Sequence, residues 1–386
     1  MRHGTRRSLA ALLGIALIAT ACSSGDDDAA SDDTSDSSAA AASEDALFPG
    51  AEWERGDAAE AGFDPEVLES LAAEAEANES NCVVVVRHGR IVGEWYWNDT
   101  DAASAQEIFS ATKSVTSTLV GIAQDDGDLG VDDAAAEYIP EWDGTDSADV
   151  TVENLLANDS GRHWVDVIDD ITQLTPQEDR TGYAIGLGQD VPPGERWAYN
   201  NAAIQTLDAV IETATGERTH EYAAQRLFEP LGMSDSEMTT DNAGNTNTYF
   251  GMQSTCEDLA RFGYLFLRNG TWDGDEIVPA DWVEAATGAP SQDLNAGYGY
   301  LWWLNQMGAQ PGLGNGTGAS TDTAEEGQLV PDAPEDMYWA QGLGGQTVQV
   351  DPGSDTVVVR LGSGNLSAPY GSSDTARFVT EALVDP

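Results

Sequence analysis

The stretch Phe109-Ser110-Ala111-Thr112-Lys113-Ser114-Val115-Thr116 holds the one lysine of a 386-residue chain, three positions after a serine. The chain carries 16 basic and 68 acidic side chains, so lysine has been discarded everywhere but here. A pressure that strips lysine from the surface spares it only where the amine has a chemical task. Apolar residues recur at helical spacing over 110–124, and on a helix positions i and i+3 share one face, about a turn apart. The amine can then take the hydroxyl proton and make the serine a nucleophile. Chance places a serine there about once in fifteen times, so the flanking sequence has to carry the rest.

Composition narrows the possibilities. Apolar residues make up 41% of the chain and include 11 Trp, ample for one large domain or two intimate ones. The formal charge of −52 repels nucleic acid and anionic lipid, which excludes both as partners of the folded body. Such a charge is tolerated best where salt screens it, so a saline source is expected, with stability rising as NaCl is added.

The N-terminus reads as a targeting segment. Arg2, Arg6 and Arg7 precede a short apolar run, Leu9 to Ala19, too short for an ordinary membrane span. Ala19-Thr20-Ala21-Cys22 resembles a bacterial lipobox, so residues 1–22 are expected to be an export signal with Cys22 lipidated. Thr5-Arg6-Arg7 reads either as a twin-arginine signal or as a simple cationic n-region. Residues 23–46, built of Ser, Ala, Asp and Glu, read as a disordered acidic linker. The expected product is an exported lipoprotein, periplasmic or on the cell surface, whose membrane partner is reached through the anchor. Cys82 and Cys256 would then meet an oxidising compartment and either pair or remain buried thiols.

From Leu47 the chain has two textures. Val83–Arg87 and Ile91–Trp97, joined at His88-Gly89-Arg90, read as a β-hairpin. Tyr298–Leu304, Met337–Gln341, Thr347–Val350 and Thr356–Leu361 read as strands, and Thr375–Val384 as a closing helix. Between them lie helical patterns at 110–124, 152–156, 202–213 and 220–228. Residues 305–336 are Gly-rich and aperiodic and read as a long mobile loop. The expected class is α+β: an antiparallel sheet flanked by helices, from about 47–105 and 250–386, beside a helical part from about 106–249. The site would lie in the cleft between them.

Several further motifs flank the lysine in order. Asp126-Gly127-Asp128-Leu129-Gly130-Val131-Asp132-Asp133 and Tyr138-Ile139-Pro140-Glu141 follow it, then Val152–Leu156 ahead of Ser160-Gly161. Pro193-Gly194 precedes Tyr199-Asn200-Asn201, and Pro230-Leu231-Gly232-Met233 comes after. With the Ser-x-x-Lys element, this run from about 50 to 365 resembles the serine β-lactamase-like family, which spans penicillin-binding-protein-like enzymes, class C β-lactamases, family VIII esterases and 6-aminohexanoate-oligomer hydrolases. The resemblance implies the β-lactamase/transpeptidase-like fold and an acyl-enzyme on Ser110. It makes Tyr199 and Asn201 the Tyr-x-Asn element.

A tyrosine works as a base only if cations stabilise its phenolate, whereas a neutral lysine at pH 7 costs about 4 kcal/mol. The acidic field opposes a neutral lysine, which favours a charged Lys113 with Tyr199 as base, the two titrating as a unit. The family's third motif, Lys-Thr-Gly or His-Thr-Gly, corresponds to the segment Leu343-Gly344-Gly345-Gln346 after Ala340-Gln341-Gly342, which lacks the cation. Backbone amides of Ser110 and Gln346 could still hold the oxyanion, and Leu343, Gly344 and Gly345 would line the substrate. Trp302, with Trp303, would wall the pocket or lie partly in the core.

The resulting expectation is an exported serine hydrolase cleaving small neutral or cationic esters or amides, with no cofactor and no metal. The rivals are a D,D-peptidase or β-lactamase, and a non-catalytic peptidoglycan-binding lipoprotein. No Gly-x-Ser-x-Gly elbow occurs, and no cluster has zinc-ligand spacing. His163 is the one histidine placed to reach the cleft, and the Asp126–Asp133 carboxylates read as a solvated turn.

Overall fold

The computed structural model describes residues 46–165, 172–311, 324–363 and 370–384. The export signal, Cys22 and nearly all of the acidic linker lie outside the described residues. Among those described, no helix is long and apolar enough to cross a membrane.

Alternation in the valine-rich strands decides the architecture. In β1 (Ser80–Arg87) successive side chains point to opposite faces of the sheet. Val83 and Val85 enter one apolar cluster with Leu68, Leu71 and Phe378, and Val84 and Val86 enter the other, larger core. Both faces are therefore covered. Helices α1 (Pro65–Ala77) and α4 (Ser372–Thr380) supply the first cluster, and α3 (Cys256–Leu267) packs on the second. Gly263 lets α3 approach, since a Cβ there would stand 2.7 Å from Val357. The six-stranded sheet is antiparallel, ordered β2-β1-β6-β5-β4-β3, with β2 Arg90–Tyr96, β3 Trp303–Leu304, β4 Tyr338–Gly342, β5 Gln346–Asp351 and β6 Thr356–Gly362. The β1–β2 turn falls at His88-Gly89, both at positive φ.

Helix α2 (Thr112–Asp125) is buried over most of its length and carries Lys113, with Ser110 just ahead of its first residue. The fold is α+β, an antiparallel sheet with helices on both faces, as the sequence leads one to expect. Cys82 of β1 and Cys256 at the start of α3 are joined as a disulfide, S–S 2.01 Å, which closes the open choice about these thiols.

The structure differs from the sequence expectation in several elements: the closing helix spans Ser372–Thr380 and not Thr375–Val384, and α1 and α3 lie where the sequence reading places no helix. Of Tyr298–Leu304 only the last two residues pair as a strand, because Leu301 stands at φ 60 and breaks the extension. The helix expected at 202–213 is two helices, Asn201–Gln205 and Leu207–Thr215, meeting at Thr206. The 305–336 segment is structured at both ends: Gly308–Gln310 pairs with Glu325–Gly327. Asn305 anchors its base, donating to Val330 O, Ala333 O and Pro334 O at 2.9–3.1 Å and accepting from Val330 N at 2.8 Å. Residues 312–323 lie outside the description.

Candidate active site

The chain reaches Ser110 through a fixed entry. Gln106 and Glu107 pair with Ser254 and Gln253, Ile108 N donates to Met252 O at 3.0 Å, and Phe109 is held at φ 48. A bulky residue in the left-handed region is strained and persists only where its surroundings impose it. Here it swings Ser110 onto a short 3-10 turn, Phe109–Ala111, that runs into α2. The first amides of such a turn have no intrahelical acceptor, which leaves the Ser110 N–H available.

One turn on, Lys113 Nζ donates to Ser110 Oγ at 2.9 Å and to Tyr249 O at 2.7 Å. The lysine is 1% exposed. Its nitrogen stands 4.7 Å from the ring centre of Tyr199 and 5.6 Å from that of Tyr249, so two aromatic faces receive the ammonium. Tyr249 had no sequence signal: a main-chain carbonyl can come from any residue type.

Tyr199 is brought in from the opposite side. Asn200 caps the helix Asn201–Gln205 by accepting from Ala203 N at 2.8 Å, and Trp164 Nε1 donates to Tyr199 O at 3.0 Å. The Tyr199 ring stacks on Trp303 at 5.6 Å, inclined 27°, and its hydroxyl hydrogen-bonds Ser110. Burial pushes that hydroxyl well above the ordinary phenol range, and the Ser110 bond opposes the shift only in part. A standing phenolate is therefore disfavoured, against the sequence-based preference for Tyr199 as a charged base. Asn201 lies buried on the first turn of its helix, two residues from Tyr199.

The third segment closes the cleft at the end of β4. A Cβ on Gly342 would stand 2.1 Å from Ile108 O, so glycine is what lets this strand end lie beside the entry to Ser110. Gly344 and Gly345 both take positive φ. Gln346 opens β5, directly after the two glycines, and its side chain is fixed within the sheet. It is 0% exposed, with Nε2 donating to Leu343 O and Gly362 O at 3.0 Å and Oε1 accepting from Gly362 N at 2.9 Å. Its side chain braces the sheet beside the turn.

Leu343 is 40% exposed. Gly345 N donates to Gly342 O at 3.1 Å, so that carbonyl points into the turn. In a trans peptide the Leu343 N–H points the opposite way, and no acceptor among the described residues takes it.

Trp302 is also corrected. It is 0% exposed, stacked on Phe262 at 5.6 Å and against Phe266 at 4.5 Å, and belongs to the core. Its neighbour Trp303 is the one beside Tyr199. His163 pairs with Asp190 at 2.9 Å. Among the described residues no group of three His, Cys, Asp or Glu is placed to hold a metal.

The family model described as Beta-lactamase matches residues 69–379. The chain is 23% identical over 325 residues to the 6-aminohexanoate-dimer hydrolase of Paenarthrobacter ureafaciens, covering 77% of this chain and 76% of that protein. Among solved structures it resembles a family VIII carboxylesterase, TM-score 0.62 at 16% identity, covering 85% of this chain and 98% of the other. It also resembles a penicillin-binding protein homologue from Caulobacter crescentus, TM-score 0.61 at 16% identity, covering 82% and 97%.

Proposed function

Since the chain belongs to the Beta-lactamase family, whose members are serine hydrolases, we propose that it cleaves a small ester or amide through an acyl-enzyme on Ser110. The observation that carries this reading is the 2.9 Å bond from the sole lysine to the serine hydroxyl oxygen. Ser110 Oγ attacks the carbonyl carbon as its proton passes to the Lys113–Tyr199 pair, and the Ser110 and Gln346 backbone amides receive the oxyanion. The pair returns the proton to the leaving alcohol or amine. Water then attacks the acyl-enzyme, giving one proton through the same pair, and Ser110 recovers its hydroxyl as the acid leaves. Asn201 orients the lysine.

The segment Leu343-Gly344-Gly345-Gln346 brings no cation to grip a substrate carboxylate, and the net charge is −52. Both support neutral or cationic substrates over β-lactams and D,D-peptides. The 6-aminohexanoate-dimer hydrolase and the family VIII carboxylesterase are named for amide and ester cleavage, which supports the reaction class.

A fluorophosphonate probe tests the site: it should label wild type at Ser110 and leave Ser110→Ala unlabelled. A folded wild type that stays unlabelled speaks for a binding protein using the same cleft. Export with lipid attachment at Cys22 is part of the proposal, supported by the lipobox-like Ala19-Thr20-Ala21-Cys22 and by a disulfide suited to an oxidising compartment. Labelling with a palmitate analogue, lost in Cys22→Ser, checks it.

A further inference from the structure

Behind the turn that carries Leu343 lies a buried arginine. Arg360 stands on β6 opposite Thr347 of β5 and Val83 of β1. Its Nε donates to Ser80 Oγ at 2.8 Å, one Nη to Gly344 O at 2.7 Å and the other to Asn78 O at 3.2 Å. The guanidinium lies 5.7 Å from the ring centre of Tyr370. Among the described residues it makes no ion pair. Two glycines keep its space open: a Cβ would stand 2.3 Å from Nη2 at Gly362 and 3.2 Å from Nη1 at Gly345.

A buried charge with no direct ion pair is costly even though Glu79 and Asp374 act on this one from a distance, and an apolar residue of similar volume often serves stability as well or better. Burial lowers this guanidinium to about 10, so the cost is felt. What the charge secures is a rigid Gly344 carbonyl. Gly344 and Gly345 have no side chains and free backbones, so the turn depends on bonds to its carbonyls: Gly342 O from Gly345 N, Leu343 O from Gln346 Nε2, Gly345 O from Thr347 Oγ1, and Gly344 O from Arg360 alone among the described residues. With Gly344 O drawn to Arg360 and Leu343 O to Gln346 Nε2, both peptide planes are set.

We infer that Arg360 is a positioning residue for catalysis, fixing through Gly344 the glycine turn that leads into the Gln346 backbone amide of the oxyanion site. This rests on the acyl-enzyme reading above. Oxyanion stabilisation depends on donors held in place before the charge develops. Loosening the turn therefore lowers turnover and weakens binding of tetrahedral analogues, while ground-state substrate binding is little changed.

The experiment compares wild type, Arg360→Met, Arg360→Lys and Ser80→Ala, each normalised to the fluorophosphonate-reactive fraction. The readouts are kcat and KM on a p-nitrophenyl ester and Ki for phenylboronic acid. Arg360→Met should lower kcat per reactive site about 10- to 100-fold and raise Ki by a similar factor, with KM within about threefold. Arg360→Lys, with one compact donor head, should fall between. Ser80→Ala removes a bond from Arg360 without touching Gly344 and should keep kcat and Ki.

Unchanged per-site kcat and Ki in Arg360→Met, with only thermal stability altered, would overturn the inference. If that variant does not fold, the same result in Arg360→Lys overturns it. A wild type with no Ser110-dependent turnover would instead defeat the reading of the site itself.

Discussion

Lys113 donates to Ser110 Oγ across 2.9 Å from one turn further along the same helical segment, buried to 1% exposure. The separation lets the serine proton move without rearranging the backbone. Lys113→Met should lower ester turnover by about a thousandfold or more. It should leave the melting temperature equal or higher, since a buried charge gives way to an apolar chain of similar length. Kinetics and calorimetry on the same preparation check both halves; a large loss of stability would make Lys113 structural instead.

Tyr199→Phe removes one oxygen and leaves the stack on Trp303 in place. Turnover should fall about 10²- to 10⁴-fold, with a melting temperature within a few degrees of wild type. A variant with wild-type kcat would remove Tyr199 from the proton path and leave Lys113 as the working base.

The disulfide joins residues 174 apart in sequence, tying the sheet to α3 close to the strand pair that leads to Ser110. Long closures restrict the unfolded chain most. Replacing both cysteines by serine should cost about 2–5 kcal/mol in a guanidinium titration, with kcat retained at low denaturant. An unchanged midpoint would contradict this.

Asp159 gives a pH dependence with a defined sign. Burial raises its carboxyl to about 6, with the Asn154 amide bond at 2.9 Å opposing. The folded state thus keeps its proton at pH values where the unfolded chain has lost it. This contribution is fully present below the ordinary carboxyl value and is lost as pH climbs through about 6. Asp159→Asn keeps the acceptor and cannot ionise. Its stability relative to wild type should rise between pH 4 and pH 7 by on the order of 2–3 kcal/mol. A gap that does not change with pH would refute the assignment.

What could be read from the sequence followed from local periodicity. The run Val83–Val86 against Ile91–Tyr96 shows its hairpin because every second side chain enters one core. Ser110 and Lys113 share a helical face whatever surrounds them. The parts that stayed hidden depend on contacts between distant segments. Leu301 interrupts a strand-like run because it is held at φ 60, with its carbonyl accepting from Ser114 Oγ at 2.8 Å, so Trp302 turns into the core while Trp303 meets Tyr199. The Tyr249 carbonyl and the Arg360 guanidinium act through atoms whose partners lie far away in sequence.

The measurement that tests the central claim most directly is hydrolysis of a short-chain p-nitrophenyl ester in high salt by wild type and Ser110→Ala, with intact-mass detection of the acyl adduct. The account predicts turnover and an adduct in wild type and neither in the variant. A folded wild type that forms no adduct and releases no p-nitrophenol, or a Ser110→Ala protein as active as wild type, would contradict it.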